Sequence, residues 1–295
     1  MQQTFQAPEP ISATVDLGVG SIKISASERA DTVVDVRPSD PSHRRDVAAA
    51  EEMTVEFANG RLLVRSPKNW RRWSPRGGHE SADLLIDLPA GSKVQIDAGV
   101  ASIRCAGRLG ESELKTGVGD IEADEVGSVV VRTGAGDVTF DRVDGSAEVT
   151  AGSGAVSIAS VAGRAVVKDG NGAVWIGDVA GEAHVKAANG RITIDRARHS
   201  VTAKTANGPV RLGVVESGSV VAQSAFGTIE VGVRDGVAAW LDLDTKYGHV
   251  RNDLEAADRP GPSDDVVEIH AHTSAGDITI HRVRDSEVAE APARS

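Results

Sequence analysis

The sequence predicts an all-β protein, a right-handed parallel β-helix with rungs of roughly 18 residues, and three observations predict it. One short phrase recurs five times, as Gly119-Asp120-Ile121, Gly136-Asp137-Val138-Thr139-Phe140, Gly154-Ala155-Val156-Ser157-Ile158, Gly172-Ala173-Val174-Trp175-Ile176 and Gly190-Arg191-Ile192-Thr193-Ile194, with its glycines 17 or 18 residues apart. Two and four residues after most of these glycines stand Val, Ile, Leu or Phe, the alternation of a half-buried strand. Aromatic residues are only 3% of the 295, while Gly, Val and Ala abound, which suits a narrow interior of small and β-branched side chains. A fixed period with one strand phrase in each means that every unit buries its apolar face by stacking on its neighbours. The inward residues fall at spacings of two, three and five rather than every sixth position, which favours the right-handed coil over a left-handed one.

Taken in order, Ile11 to Ile24 alternates and closes on an early copy of the phrase, Gly20-Ser21-Ile22-Lys23-Ile24. Thr32 to Val36 reads as another strand, and Pro38-Ser39-Asp40-Pro41 breaks the pattern. Asp46 to Met53, rich in Ala and Glu, predicts one or two helical turns that cover an open strand edge. Met53 to Phe57 and Asn59 to Val64 predict a hairpin, since Asn-Gly favours the turn that matches strand twist. The segment 66–80 is a basic loop holding Trp70, Arg71, Arg72 and Trp73. Aromatics interleaved with Arg either bind an anionic partner or fold back to shield the first rungs. Ser81 to Leu88 alternates again, and Pro89-Ala90-Gly91-Ser92 turns the chain into its regular part.

From Ala101 the rungs are followed in sequence order through Gly119, Gly136, Gly154, Gly172, Gly190, Gly208, Gly227 and Gly248 to Gly276, each with two or three short strands. The whole of 1–283 is expected to be one β-helix domain, with irregular rungs over 1–100, regular ones over 101–232 and wider ones over 233–283, before a disordered tail, 284–295. Trp240, Leu241 and Leu243 supply the larger residues expected where an end is closed, and Glu255 to Asp265 is a turn-rich excursion.

The formal net charge of -11 argues against nucleic acid as a partner, because phosphate contacts need a basic surface. The one cysteine, Cys105, sits at an alternating position beside Ile103 and reads as a small buried hydrophobe. No run approaches the roughly 20 apolar residues of a membrane helix, and Met1 to Pro10 shows no basic segment followed by an apolar core, so cytoplasmic residence is expected. No cofactor is expected.

Stacking turns residues 18 apart into vertical neighbours, so chemistry is sought down columns. Asn171, Asn189 and Asn207 form one, read as a structural amide ladder. Lys115, Arg132, Lys168, Lys186 and Lys204 form a second on an outward face. It is either a basic stripe for an acidic polymer, membrane surface or partner protein, or a solvated lysine edge that discourages aggregation. Asp242 and Asp244 precede Gly248 by six and four residues, as His270 and His272 precede Gly276, so the four should meet on adjacent strands. Two histidines and two carboxylates there either bind a divalent ion such as Zn²⁺, act as a pH-sensitive patch, or are simply favourable cross-strand pairs.

With the phrases Gly119-Asp120-Ile121, Thr133 to Val138 and Ala275-Gly276-Asp277-Ile278-Thr279-Ile280, the turn Leu88 to Ser92 and the opening Pro10 to Val36 segment, the chain resembles the bacterial β-strand-repeat family catalogued as domain of unknown function 4097, often labelled adhesin. The likeness covers roughly residues 5 to 283 and rests on the phased recurrence of the phrases. It implies a right-handed β-helix with no established catalytic residues and, in some relatives, a link to envelope stress.

Taken together, these features point to a non-catalytic interaction scaffold for an unknown protein or anionic envelope component. A carbohydrate-active β-helix enzyme needs grouped carboxylates in a walled groove, whereas the central turns are short and the outward Asp residues dispersed. A self-assembling filament is the third class, and the chain is expected to be a monomer or an end-to-end or edge-mediated homo-oligomer.

Overall fold

A computed structural model describes residues 2–67, 80–254 and 266–284. The chain is all-β, a parallel β-solenoid, and its contacts divide it into two compact units, Met1–Ser153 and Gly154–Ser295.

The first unit holds β1 (Gln2–Gln6), β2 (Ser12–Ser27), β3 (Asp31–Pro38), α1 (Arg44–Glu52), β4 (Thr54–Ala58), β5 (Arg61–Arg65), β6 (Ala82–Pro89), β7 (Lys93–Leu109), β8 (Ser112–Val118), β9 (Ile121–Val126), β10 (Val129–Ala135), β11 (Val138–Val143) and β12 (Ala147–Ser153). Strand β2 lies parallel to β7 along almost its whole length and, on its other side, parallel to β5 and β6. The regular stack therefore begins at β2, not after Ser92 as the sequence suggests. Strand β6 is closed by antiparallel β3, and β3 by antiparallel β1.

Strand β1 escapes sequence reading because Gln2–Gln6 shows little apolar alternation; Phe5 holds it, stacked on Phe57 of β4 at 5.1 Å. The expected hairpin forms between β4 and β5, with Asn59 (φ 51°) and Gly60 (φ 70°) both in the left-handed region that its tight turn requires. Helix α1 packs on β3 and β6, its buried Asp46 carboxylate accepting the Asp40 and Ser81 backbone N–H groups at 3.1 and 3.2 Å.

Beyond β7 each rung has two strands. The ladders β8–β10–β12 and β9–β11 are parallel and in register. Inward residues such as Leu114, Val131 and Val149 stack in one column, and Phe140 is the bulkiest side chain fully enclosed. Cys105 is buried as expected, and burial, with Asp124 adding to it, pushes its thiol up to about 12.

The second unit holds β13 (Val156–Val161), β14 (Ala165–Asn171), β15 (Val174–Val179), β16 (Ala183–Asn189), β17 (Ile192–Ala197), β18 (Val201–Asn207), β19 (Val210–Val215), β20 (Gly218–Phe226), β21 (Ile229–Arg234), β22 (Ala238–Tyr247), β23 (Val250–Asn252), β24 (Val266–Ala275) and β25 (Ile278–Val283). One ladder runs β14–β16–β18–β20 and the other β13–β15–β17–β19–β21. Burying each Val or Ile of the inward columns contributes roughly 1.5–3 kcal/mol, and Val167, Val185, Ile176 and Ile194 are wholly enclosed.

Rung order then departs from sequence order. Strand β24 pairs with β20 on one side and β22 on the other, and β25 lies between β21 and β23. The glycines record the same order. A Cβ on Gly276 would lie 2.2 Å from the Gly227 carbonyl oxygen, and one on Gly248 2.1 Å from that of Gly276. Burial decides which strand sits inside: the inward set Val267, Ile269 and Ala271 of β24 is completely enclosed, whereas Leu241 and Leu243 of β22 remain partly accessible. Trp240, expected to close this end, is 54% exposed instead. The predicted excursion at 255–265 lies outside the described residues, as do the predicted tail from 285 on and most of the basic loop.

The asparagine ladder forms as expected. The Asn189 amide donates to Asn171 Oδ1 at 2.8 Å and the Asn207 amide to Asn189 Oδ1 at 2.7 Å. Asn189→Ala removes both exposed bonds and is expected to lower stability by about 1–2 kcal/mol, read from the urea midpoint.

Candidate functional site

In parallel, in-register strands each outward residue has its equivalents about 4.8 Å above and below it, so like charges in one column repel unless opposed. Several charged columns here are opposed, although Asp16 lies in register with Asp97 and Lys23 with Arg104. In the first unit Lys93 meets Glu111 at 3.0 Å and Arg104 meets Glu122 at 3.0 Å. In the second, Arg196 bonds Glu216, Arg198 bonds Asp178, and Arg211 faces Glu230 at 3.8 Å.

The lysine column of the second unit has no such opposite partner among the described residues. Lys168, Lys186 and Lys204 are direct register partners, and the column continues through Gln223 and His272 to Asp244. Among the described residues none of the three lysines forms an ion pair. Adjacent ammonium groups repel by on the order of 1 kcal/mol in water, a cost that an anion spanning them would reverse.

Beside this column the outward residues are small. Ala206, Ala225 and Ser274, with Lys186, Lys204, Lys246 and His272 around them, line a groove of about 600 Å³. The small side chains leave room for a ligand to approach the backbone, and the lysines and imidazole offer donors. Sequence reading missed the groove, although its signal is present: Ala206 and Ala225 each stand two residues after the lysine-column position.

The predicted basic residues are not all alike. Lys115 and Arg132 are register partners in the first unit, where Thr150 follows them, and Lys115 is bonded to Glu113. Trp70, Arg71, Arg72 and Trp73 lie outside the described residues.

The Asp/His pairing forms as the spacing predicts, Asp242 opposite His270 and Asp244 opposite His272. His270 Nδ1 is 3.1 Å from Asp242 Oδ2, and His272 Nε2 is 3.5 Å from the same oxygen. His270 Nε2 lies 3.2 Å from Glu268 Oε1, a partner that sequence reading did not include. The hydrogen bond to Asp242 raises the His270 pKa, Glu268 adds to it, and partial burial opposes it. Asp244 stays outside this cluster and faces the groove with Lys246.

A second unexpected feature is a column of buried hydroxyls at the rung corner. Thr205, Ser224, Thr273 and Thr245 donate to the carbonyls of Gly190, Gly208, Gly227 and Gly276 at 2.9–3.2 Å. Asp169 occupies the same column, since it precedes Gly172 as Thr205 precedes Gly208. Its carboxylate is buried with neither oxygen in a well-formed hydrogen bond, and burial raises its pKa.

Among the described residues no helix is long and apolar enough to cross a membrane. Comparison with functionally curated proteins finds no match. Among solved structures, a "putative adhesin" of Bacteroides fragilis is 14% identical, with 96% of each chain covered and a TM-score of 0.40. A "putative lipid binding protein" of Parabacteroides distasonis is 13% identical, again with 96% of each chain covered, at 0.30. A "putative adhesin" of Parabacteroides merdae is 12% identical, covering 96% of this chain and 95% of its own, at 0.30. The family model described as Toastrack DUF4097 matches residues 12–281, nearly the whole stack of rungs, and the chain belongs to that family.

Proposed function

We propose that this protein is a non-catalytic binding scaffold that takes an anionic component of the cell envelope along the lysine column of its second unit. The observation that carries this reading is the contrast between columns. In the second unit Arg196, Arg198 and Arg211 are matched by carboxylates of neighbouring rungs, whereas Lys168, Lys186 and Lys204 are left unopposed, the last two of them lining a groove floored by small residues. A rigid β-ladder holds the three ammonium groups at a fixed repeat, which suits a ligand with charges spaced along a polymer or a headgroup layer.

The test is co-sedimentation with phosphatidylglycerol vesicles against phosphatidylcholine vesicles. Binding to the anionic vesicles alone, weakening with salt, is expected. The triple variant Lys168→Glu, Lys186→Glu, Lys204→Glu should lose at least about tenfold in affinity, three charge contacts at roughly 1 kcal/mol each exceeding that, with its far-UV circular dichroism unchanged. Equal binding by the variant removes the column from the function.

A second reading, self-association, is favoured by the outer rung. Among the described residues β22 and β23 pair on one side, and Tyr247 and Val250 are 78% and 46% exposed. Sedimentation coefficients that rise with protein concentration would support it, and a constant monomer value would end it.

A further inference from the structure

We propose that Asp242, His270 and His272 form a binding site for a divalent transition-metal ion of the Zn²⁺ class, on the two outermost strands of one ladder of the second unit. The site does not depend on the lysine column's role.

Geometry is the first argument. One ligand atom from each of the three side chains lies within 4.8 Å of the other two. A tetrahedral centre with bonds of about 2.0–2.2 Å sets its ligand atoms roughly 3.3–3.5 Å apart. Asp242 Oδ2 already stands 3.1 Å from His270 Nδ1 and 3.5 Å from His272 Nε2. Closing the cluster on an ion therefore needs a modest approach of the two imidazoles and no movement of backbone. Both histidines belong to β24 and the aspartate to β22, strands paired through nine register positions, so the ligands stand on rigid elements.

The outer shell is the second argument. Glu268 Oε1 lies 3.2 Å from His270 Nε2. A carboxylate accepting that N–H would hold the tautomer that leaves Nδ1 free for an ion bound between it and Asp242, and would raise the basicity of the ligating nitrogen. The Trp240 ring meets the His270 ring edge-on at 5.5 Å and limits its rotation. Two imidazoles and one carboxylate suit Zn²⁺, Co²⁺ or Ni²⁺ rather than Mg²⁺ or Ca²⁺, and three protein ligands leave a position for water or an anion.

Protons compete for the same site. Metal ligation needs both imidazoles neutral, so affinity should fall as pH drops. The other charged groups at the groove that His272 lines are Asp244 of β22, which also favours cations, and Lys186 of β16, Lys204 of β18 and Lys246 of β22, which oppose them. Strand β20 presents uncharged Val221 and Gln223 opposite the histidines.

The experiment is isothermal titration of the full chain with ZnCl₂ above neutral pH. One ion per chain is expected, with affinity lost at least about tenfold in Asp242→Asn and in His272→Ala, and lowered roughly 10–100-fold in Glu268→Gln. Co²⁺ bound to the unmodified protein should give the visible absorption of a tetrahedral centre, a readout independent of how any variant folds. No heat, or heat unchanged in both ligand variants, overturns the site, as does a Co²⁺ spectrum identical to that of the free aqueous ion.

Discussion

Gly190→Ala is expected to destabilise the protein by about 3–5 kcal/mol. Gly190 has φ +152°, and a Cβ there would lie 1.7 Å from the Gly172 carbonyl oxygen. No side chain can swing away to relieve that contact, because the opposing atom is backbone in the adjacent rung. The ladder must open locally, and the rungs on either side lose their register bonds. Gly236→Ala is the control. Its φ of +80° is also left-handed, but nothing lies within 4 Å of the added methyl, so the cost is conformational alone, roughly 1–2 kcal/mol. Urea unfolding followed by circular dichroism separates the two, and equal midpoints would show that the close stack of glycines does not limit stability.

Asp169→Thr should act in the opposite direction, stabilising by about 1–3 kcal/mol at neutral pH. The native carboxylate is buried in the column where, further along the second unit, Thr205, Ser224, Thr273 and Thr245 donate to glycine carbonyls, and by the same spacing as Thr205 to Gly190 the carbonyl in register with it is that of Gly154. An ionised carboxylate can only repel that oxygen. The pH dependence follows from the sign of the shift. The unfolded chain releases this proton near the ordinary value of 3.8, while the folded chain holds it to higher pH. Stability therefore falls as pH rises from the unfolded value through the raised folded one, and the penalty then stays constant. The variant should lose this slope, so the gain at neutral pH should vanish below the ordinary carboxylate range. A threonine variant less stable at neutral pH would show that the carboxylate has a compensating partner.

The repeat and its columns are legible in the sequence because a fixed period converts position directly into register. Lys168, Lys186 and Lys204, the asparagine ladder, and the pairing of Asp242 with His270 all follow from counting back from a glycine. What counting cannot give is a choice between segments that satisfy the same pattern. Strands β22 and β24 both alternate and both end in a phrase glycine, and only the completeness of burial of Val267, Ile269 and Ala271 puts β24 inside. The corner hydroxyls are hidden for a related reason: in the second unit their column reads Asp169, Ala187, Thr205, Ser224, and nothing in that mixture announces a shared hydrogen bond. Glu268 joins the Asp/His cluster through side-chain reach along its own strand, which the column rule does not contain.

The displaced rung order also has a consequence in time. A ribosome delivers β22 and β23 before β24 and β25 exist, so for that interval the edge of β20 faces a strand that is not its native partner. Were β22 to dock there, Gly248 would lie where Gly276 belongs, a slip of one whole rung with the inward and outward faces unchanged, and native order would then require the late segment to enter between two strands already paired. This step should appear in refolding as a slow phase that is absent from a chain ending at residue 236, so the last rung sets the rate at which the molecule is finished.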